Sequence, residues 1–226
     1  MKNDLRSEEG PAVTSAPIDR HALLRDFVTQ RVGALQHGYL RGESGATASL
    51  AILRRALGTE PGADPLVWQY TLGLPDVLAG RGDDPSPAER AVHYAITLFA
   101  LHQQSQSVGM QRRGQSMGSA ARQLGKAIGN EEAVHRRFMA LGTASSLAGA
   151  STHARGLVGQ FRASKIPLDY GVLAVDFYKL QDPRLADGVR LSWGRDYYRV
   201  PRTERNTPSE EITEESPQTQ EERELS

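Results

Sequence analysis

The residues with the clearest potential for catalysis are Gly114-Gln115-Ser116-Met117-Gly118, which match the G-x-S-x-G pattern of serine hydrolases. In those enzymes the serine lies on a sharp turn between a buried strand and a helix. The segment before Ser116 reads SQSVGMQRRGQ and is too polar for a core strand. We therefore interpret the pattern as a glycine-containing loop that leads into a helix, with Ser116 or Ser119 near the N-cap.

The other residues that a serine hydrolase needs are also poorly placed. An acid and then a histidine follow the serine along the chain in that fold. The last histidine in the sequence is His153, so the histidine of such a triad would be His135 or His153. The acid before it would be Glu131 or Glu132, and all four residues lie within consecutive predicted helices. A hydrolase stays a third hypothesis, and it would require an esterase activity that Ser116→Ala abolishes.

Signatures of metal and cofactor sites are missing from the sequence. There is no cysteine, and none of the six histidines lies three or four residues from another, so a helical zinc pair is excluded. Gly125-Lys126-Ala127 lacks both the upstream glycine and the Ser/Thr of a phosphate-binding loop. We expect no metal, no cofactor and no enzymatic activity.

Helical periodicity runs through most of the chain, and no segment alternates as a strand would. We predict an all-α fold, a bundle of about eight to nine helices in two small lobes that meet near residues 105–117. The predicted helices are 18–39, 49–57, 65–72, 86–104, 118–128, 131–141, 146–164, 168–181 and 184–199. The expected domains are a disordered N-terminus (1–16), two lobes (17–107 and 108–200) and a disordered acidic tail (201–226).

Local signals add detail to this outline. Asp19 is expected to cap the first helix, and Ser86-Pro87-Ala88-Glu89 has the pattern of a helix N-terminus. Trp193 and one neighbouring tyrosine are expected to pack into the core. No apolar run reaches transmembrane length and the polar N-terminus lacks a signal peptide, so we expect a soluble cytoplasmic protein.

Charge is distributed unevenly although the formal net charge is zero. Residues 101–165 carry nine Lys/Arg against two acids, whereas residues 201–226 carry three arginines against eight glutamates. At 100° per residue, the basic side chains of the helices in 118–164 fall mainly outside the apolar stripes. The candidate nucleic-acid-binding residues are Arg54, Arg55, Arg113, Arg122, Lys126, Arg136, Arg137, Arg155 and Arg162.

This set of cations favours contacts with a phosphate backbone, independent of sequence and sensitive to salt. Few aromatic residues lie among the cations, so base stacking is not indicated. Gly159, between Arg155 and Arg162, would allow a backbone to approach closely. For any single arginine, an ordinary solvated surface position is an equally good interpretation. The concentration of positive charge favours nucleic-acid binding by the arginines taken together.

A free-standing helix-turn-helix regulator is the alternative. The segment SAARQLGKAIGNEEAVHRRF has a helix of small residues, glycines and a second helix with arginines. The usual turn has three or four residues. Here the turn is too long if the first helix stops at Leu124, and Gly125 lies inside the helix if it continues to Ile128.

An ordered series of segments resembles the CasB family, the small subunit of the type I-E CRISPR Cascade complex. The resemblance covers roughly residues 18–200. The segments are LRRALG (53–58), Trp68, LHQQSQS (101–107), MQRRGQSMGSAARQL (110–124), EEAVHRRFMAL (131–141), HARGLVGQFRA (153–163), IPLDYGVLAVDFYKLQ (166–181) and VRLSWGRDYYR (189–199).

The resemblance implies an all-helical, non-catalytic subunit that contacts crRNA and target DNA, including the displaced strand. It also implies contacts with the backbone and large subunits of the complex and with a second copy of the chain, and no association with membranes. The family positions that match best are Arg54, Arg55, Arg122, Arg136, Arg137 and Arg155. The acidic tail lies outside the pattern.

Overall fold

The computed structural model describes residues 18–199, so the disorder expected at 1–16 and 201–226 concerns residues outside the described part. Within this part the fold is all-α, as the sequence predicts, with an isolated bridge between Gln111 and Leu168 as its only β pairing. The helices are α1 (Arg20–Leu40), α2 (Ser44–Arg55), α3 (Trp68–Thr71), α4 (Pro87–Gln103), α5 (Met117–Ile128), α6 (Glu131–Gly142), α7 (Leu147–Ala163), α8 (Tyr170–Lys179) and α9 (Pro183–Tyr198). None of these described helices is both long enough and apolar enough to span a membrane.

Two capping motifs that the sequence predicts are confirmed. Asp19 caps α1, because its Oδ1 accepts hydrogen bonds of 3.0 Å from the backbone N–H groups of His21 and Ala22. At α4, Ser86 Oγ accepts from the Glu89 N–H at 3.1 Å, and the Glu89 carboxylate accepts from the Ser86 N–H at 2.7 Å. This reciprocal capping box satisfies two backbone donors that the helix itself leaves free.

Two elements differ in extent from the prediction. α2 begins at Ser44 rather than at residue 49. Its first turn is small and polar and Glu43 makes no capping hydrogen bond, so neither a cap nor an apolar period marks the start. The segment predicted as one helix over 65–72 is a 3₁₀ turn (Pro65–Val67) followed by the four-residue α3.

Packing is centred on α4, in which every residue from 91 to 100 is buried. This helix contacts α1 and α2 as well as α7 and α8, and α8 also packs against α1. α5 packs against α6 and α9, and α7 contacts α4, α5 and α6. Buried apolar side chains form a cluster that extends from Leu24 to Trp193. The division into lobes at residues 107 and 108 stays a prediction.

Trp193 lies in the core, as predicted, with 2% of its surface exposed. Its indole Nε1 donates a hydrogen bond to the Asp176 carboxylate at 2.6 Å. Of the two tyrosines that follow, Tyr197 is half-buried against Phe138, with the rings stacked at a centroid distance of 4.8 Å, whereas Tyr198 is exposed. The end of α9 is therefore attached to both α8 and α6.

The loop at 105–117 is held by the segment that leads into α8. The Leu168 N–H donates to the Met110 carbonyl at 2.9 Å. The buried Asp169 carboxylate accepts a hydrogen bond of 2.8 Å from the Gly114 N–H, and the same side chain caps α8. Since these bonds join backbone to backbone and backbone to a buried carboxylate, the loop has a defined conformation in spite of its polar composition.

Candidate nucleic-acid interface

A groove of about 470 Å³ runs between α6 and α7. Its two walls combine small residues with basic and polar ones, and there is no carboxylate among them. The lining residues are Ala133, Arg136, Arg137, Ala140, Thr152, His153 and Gly156.

The spacing on α6 explains why both arginines reach this groove. Val134, Phe138 and Leu141 are buried against the rest of the protein. Ala133, Arg136, Arg137 and Ala140 follow the i, i+3, i+4, i+7 rule and form a separate stripe along the helix. Because the alanines are small, a ligand could lie close to the helix between the two guanidinium groups.

Both groove arginines are exposed and only weakly engaged within the protein. Arg136 forms an ion pair with Glu132 one turn earlier, and both side chains are largely exposed. Arg137 Nη1 donates to the Ala133 carbonyl at 3.3 Å. Exposed i, i+4 pairs contribute about 0.3–0.5 kcal/mol. A phosphate group can therefore replace these contacts at little cost in free energy.

Two further cations lie on the opposite flank of α7. Arg162 Nη1 donates to Gln104 Oε1 at 2.8 Å, just beyond the end of α4. Arg155 extends toward the turn after α2, where a Cβ built on Gly58 would lie 3.9 Å from Arg155 Nη1. Cations thus lie on both sides of α7, with Arg136 and Arg137 on the α6 side.

The last turn of α2 adds its own pair of arginines close to Gly58. Arg54 is half-buried and Arg55 is exposed. Both lie three or four residues before Gly58, so the α2 terminus and the Arg155 guanidinium are neighbours. The structure therefore places the Arg155 guanidinium beside the turn that follows Arg54 and Arg55, which are distant from it in sequence.

Three predicted residues lie outside these two groups. Arg113 lines a separate cleft of about 320 Å³ together with Arg25, Asp26 and Asp169. Lys126 is exposed on α5. The helical period predicts that Arg122 points outward, but the side chain is half-buried and its Nε is enclosed without a hydrogen-bond partner among the described residues.

Thr152, His153 and Gly156 on α7 were not predicted as nucleic-acid-binding residues. They lie on the exposed side of α7, and the helical periodicity of the sequence is sufficient to predict that exposure. The period gives no information about which helix lies opposite, so their place in the groove could not be read from the sequence. Gly159, predicted to allow close approach, is open: no atom lies within 4 Å of a Cβ built there.

Ser116 is the N-cap of α5, which agrees with the loop interpretation of the G-x-S-x-G segment. Its Oγ accepts a hydrogen bond of 3.2 Å from the Ser119 N–H. His135 Nε2 lies 2.8 Å from the Tyr198 hydroxyl, and His153 is in the groove. Within residues 18–199 no histidine is hydrogen-bonded to Ser116, so the structure does not assemble a hydrolase triad there.

The α5–α6 pair departs from a helix-turn-helix in two respects. α5 continues to Ile128, so only Gly129 and Asn130 separate the two helices, and Gly129 has a left-handed φ of +64°. α6 then begins with Glu131 and Glu132, both exposed. A recognition helix places its N-terminal residues in the major groove, and two carboxylates there would lie in the negative potential of the DNA.

A family model described as CRISPR-associated protein Cse2 matches residues 49–198, well over half of the chain. The chain belongs to the Cse2 family. This Cse2-family protein is similar in structure to CasB from Thermobifida fusca, with 33% sequence identity and a TM-score of 0.64 over 78% of this chain and 98% of that one. The match confirms the resemblance to CasB. A comparison with curated protein sequences found no match.

More distant structures share the fold of this Cse2-family protein. A Cse2-family protein from Thermus thermophilus has 22% identity and a TM-score of 0.56, over 80% of this chain and 99% of that one. A chain of a CRISPR RNA-guided surveillance complex has 20% identity and a TM-score of 0.57, over 77% of this chain and 92% of that one.

Proposed function

We propose that this Cse2-family protein is a non-catalytic subunit of a CRISPR RNA-guided surveillance complex and holds nucleic acid by its phosphate backbone. The observation that carries the proposal is the α6/α7 groove, which has Arg136 and Arg137 in one wall and no carboxylate among its lining residues. The family match supports the CRISPR context. The similarity to a chain of such a complex shows a common fold.

Backbone contact follows from the chemistry of the groove. A guanidinium group donates two parallel hydrogen bonds to phosphate and stays charged at every physiological pH. The groove contains no tyrosine, tryptophan or phenylalanine on which a base could stack. We infer that crRNA and target DNA, including the displaced strand, are held without reading their sequence.

The cations on the other flank of α7 extend this surface in the proposal. Arg155 and the arginines at the end of α2 would contact the same strand beyond α7, or a second strand. Other subunits of the complex and a second copy of the chain are the proposed protein partners. Arg113, in its separate cleft, is a less favoured contact residue, and Arg122 is less favoured because it is half-buried.

The first test is to purify the tagged protein gently from its native host and to identify what elutes with it. Co-elution with a large particle that contains short RNA of uniform length is the expected result. Elution as a single protein without RNA or partner would contradict the proposal and leave the family relation as one of fold.

A second test changes the groove directly. Arg136→Ala/Arg137→Ala should weaken DNA binding equally for unrelated sequences and lower the slope of log K against log salt by up to about 2. The ratio of the binding constant of the parent to that of the variant should then be roughly tenfold larger at low salt than at a salt concentration about four times higher. Fluorescence anisotropy with two unrelated oligonucleotides gives both quantities.

The matched control is Arg20→Ala/Arg184→Ala, which removes two exposed arginines from α1 and α9. The control should retain the salt slope of the parent protein. A loss in the groove variant that depends on the DNA sequence, or an equal loss in the control, would contradict backbone contact through this groove.

A further inference from the structure

The acidic tail, residues 201–226, is opposite in charge to the α6/α7 groove. It contains eight glutamates and three arginines. Six of the glutamates form adjacent pairs, at 210–211, 214–215 and 221–222. The family match ends at residue 198, so the acidic tail lies outside the part of the chain that the family model covers.

The groove is suited to carboxylates as well as to phosphates. Arg136 and Arg137 lie in one wall and His153 in the other, and there is no carboxylate among the lining residues. An arginine binds a carboxylate through two parallel hydrogen bonds, in the same fork geometry that it uses for a phosphate. An acidic peptide and a nucleic-acid backbone would therefore compete for the same two guanidinium groups.

The end of α9 brings the chain to α6 just before the acidic tail begins. The Tyr198 hydroxyl lies 2.8 Å from His135 Nε2, and His135 directly precedes Arg136. The last described residue, Arg199, therefore lies close to the helix that carries both groove arginines.

The glutamates of the acidic tail are within reach of the groove. Glu210 follows Arg199 by eleven residues, which can extend over about 36 Å. α6 has 12 residues, so it is about 18 Å long and about 10 Å wide. The path from α9 to the groove crosses the outer face of α6, where Met139 is 44% exposed. The connecting residues are therefore long enough to cross α6 and to follow the groove.

The sequence of the acidic tail around Ile212 matches the two kinds of side chain in the α6 wall. Residues 209–215 read SEEITEE, so one apolar residue lies between two pairs of glutamates. In the wall, the two arginines lie between Ala133 and Ala140. The glutamates would pair with the guanidinium groups while Ile212 covers an alanine.

The existing contact of Arg136 does not prevent this arrangement. Its ion pair with Glu132 joins side chains that are 68% and 83% exposed. Exposed pairs are weak, and so is each single pair that the acidic tail would form. A segment joined to the same chain has an effective concentration on the order of millimolar, which favours the contact within the chain.

We propose that residues 209–215 bind in the α6/α7 groove of the same chain when nucleic acid is absent, and that nucleic acid displaces them. The consequence for nucleic acid rests on the proposed function, whereas the contact itself does not. Weak contacts between the isolated chain and nucleic acid would be suppressed. A strand that many subunits of a particle hold together would still displace the acidic tail.

The contact can be measured in the full chain without nucleic acid. The sequence has no cysteine, so Ser216→Cys provides a single site for a nitroxide spin label, directly after the second glutamate pair. The label should broaden the amide NMR signals of Thr152, His153 and Gly156 at about 50 mM salt and not at about 500 mM, because salt screens the attraction. Signals that stay sharp at both concentrations, or are broadened equally at both, would overturn the proposal.

Matched variants assign the broadening to the glutamates. It should disappear in the tail variant, Glu210→Gln/Glu211→Gln/Glu214→Gln/Glu215→Gln. It should persist in a control with the same change in net charge at four exposed aspartates, Asp26→Asn/Asp83→Asn/Asp84→Asn/Asp187→Asn. Equal broadening in the two variants would contradict a contact through these glutamates.

A mixed sample separates contact within one chain from contact between copies. Isotope-labelled chain without the spin label is mixed with spin-labelled chain that carries no isotope. We expect no broadening of the groove signals in this mixture. Broadening there would show that the acidic tail binds a second copy, which would overturn contact within the chain.

DNA binding tests the competition. At low salt the tail variant should bind DNA roughly tenfold more tightly than the parent. In the background of Arg136→Ala/Arg137→Ala the same change should improve binding by less than about twofold, because the groove contact is already lost. An equal gain in both backgrounds would overturn competition in the groove. If neither parent nor tail variant binds DNA, the proposed backbone contact fails, and the spin-label measurement still decides whether the acidic tail occupies the groove.

Discussion

Asp176 shows how one residue can make the stability of the fold depend on pH. Its carboxyl group lies under α9, where Trp193 donates to it at 2.6 Å. Burial raises the pKa of Asp176 to about 7, and the hydrogen bond from Trp193 and the charge of Lys179 oppose this shift. Since the pKa in the folded state lies above the unfolded value of 3.8, the folded state binds the proton more tightly. Stability is therefore lost as the pH rises from about 4 through about 7.

Asp176→Asn should remove this loss, because an amide keeps an oxygen acceptor for Trp193 and carries no charge. We expect the variant to be more stable than the parent near pH 8, by up to roughly 4 kcal/mol, and nearly equal to it near pH 4. Urea unfolding across this range measures the difference. As a control, Asp187→Asn changes an exposed aspartate. A stability of Asp176→Asn that declines with pH as steeply as that of the parent would refute the assignment.

At the level of helices, α5 and α9 approach each other closely at Gly118. A Cβ built on this buried glycine would lie 3.0 Å from both the Trp193 carbonyl carbon and the Tyr197 nitrogen. Backbone atoms of a helix cannot move aside as a flexible side chain does. The absence of a side chain at residue 118 is therefore a condition for the packing of α9.

Gly118→Ala should destabilise the protein by about 3 kcal/mol, because it forces α5 and α9 apart. Gly159→Ala is the matched control within a helix, and no atom lies within 4 Å of the added methyl group. It should stabilise the protein by about 0.5–1 kcal/mol. Thermal unfolding of both variants provides the comparison. Similar stability of the two variants would be inconsistent with a close contact at Gly118.

The helices themselves could be predicted from the sequence, but their neighbours could not. Asp19, Ser86 and Ser116 mark helix starts because capping is local chemistry. The start of α2 at Ser44 has no such signal. A helical period shows that Arg137 avoids the core but does not show that α7 lies beside it. The pairing of Arg155 with the end of α2 depends in the same way on long-range packing.

For the molecule as a whole, the arrangement around α7 predicts whether two arginine substitutions have additive effects on the free energy of DNA binding. Arg137 and Arg155 lie on different flanks of this helix and have no common hydrogen-bond partner among the described contacts. We expect Arg137→Ala and Arg155→Ala each to weaken DNA binding, and the double variant to show the sum of the two losses within about 0.5 kcal/mol. Titrations at one fixed salt concentration measure the three values.

Arg113→Ala serves as the comparison in the same titrations, because this exposed arginine lies in the separate cleft with Arg25. Its loss of binding should be smaller than that of Arg137→Ala. An equal or larger loss would indicate that DNA binds near α1 and the 105–117 loop, and would contradict an interface at α7.

The bonds that Leu168 and Asp169 make to the 105–117 loop hold this polar segment in a defined conformation. Nucleic acid that reaches this loop would therefore meet a segment that is already ordered. The arrival of a strand should then be governed by diffusion and by long-range attraction, and should slow as salt screens the charges. Substitutions in the groove should then change mainly the lifetime of the contact rather than the speed of its formation.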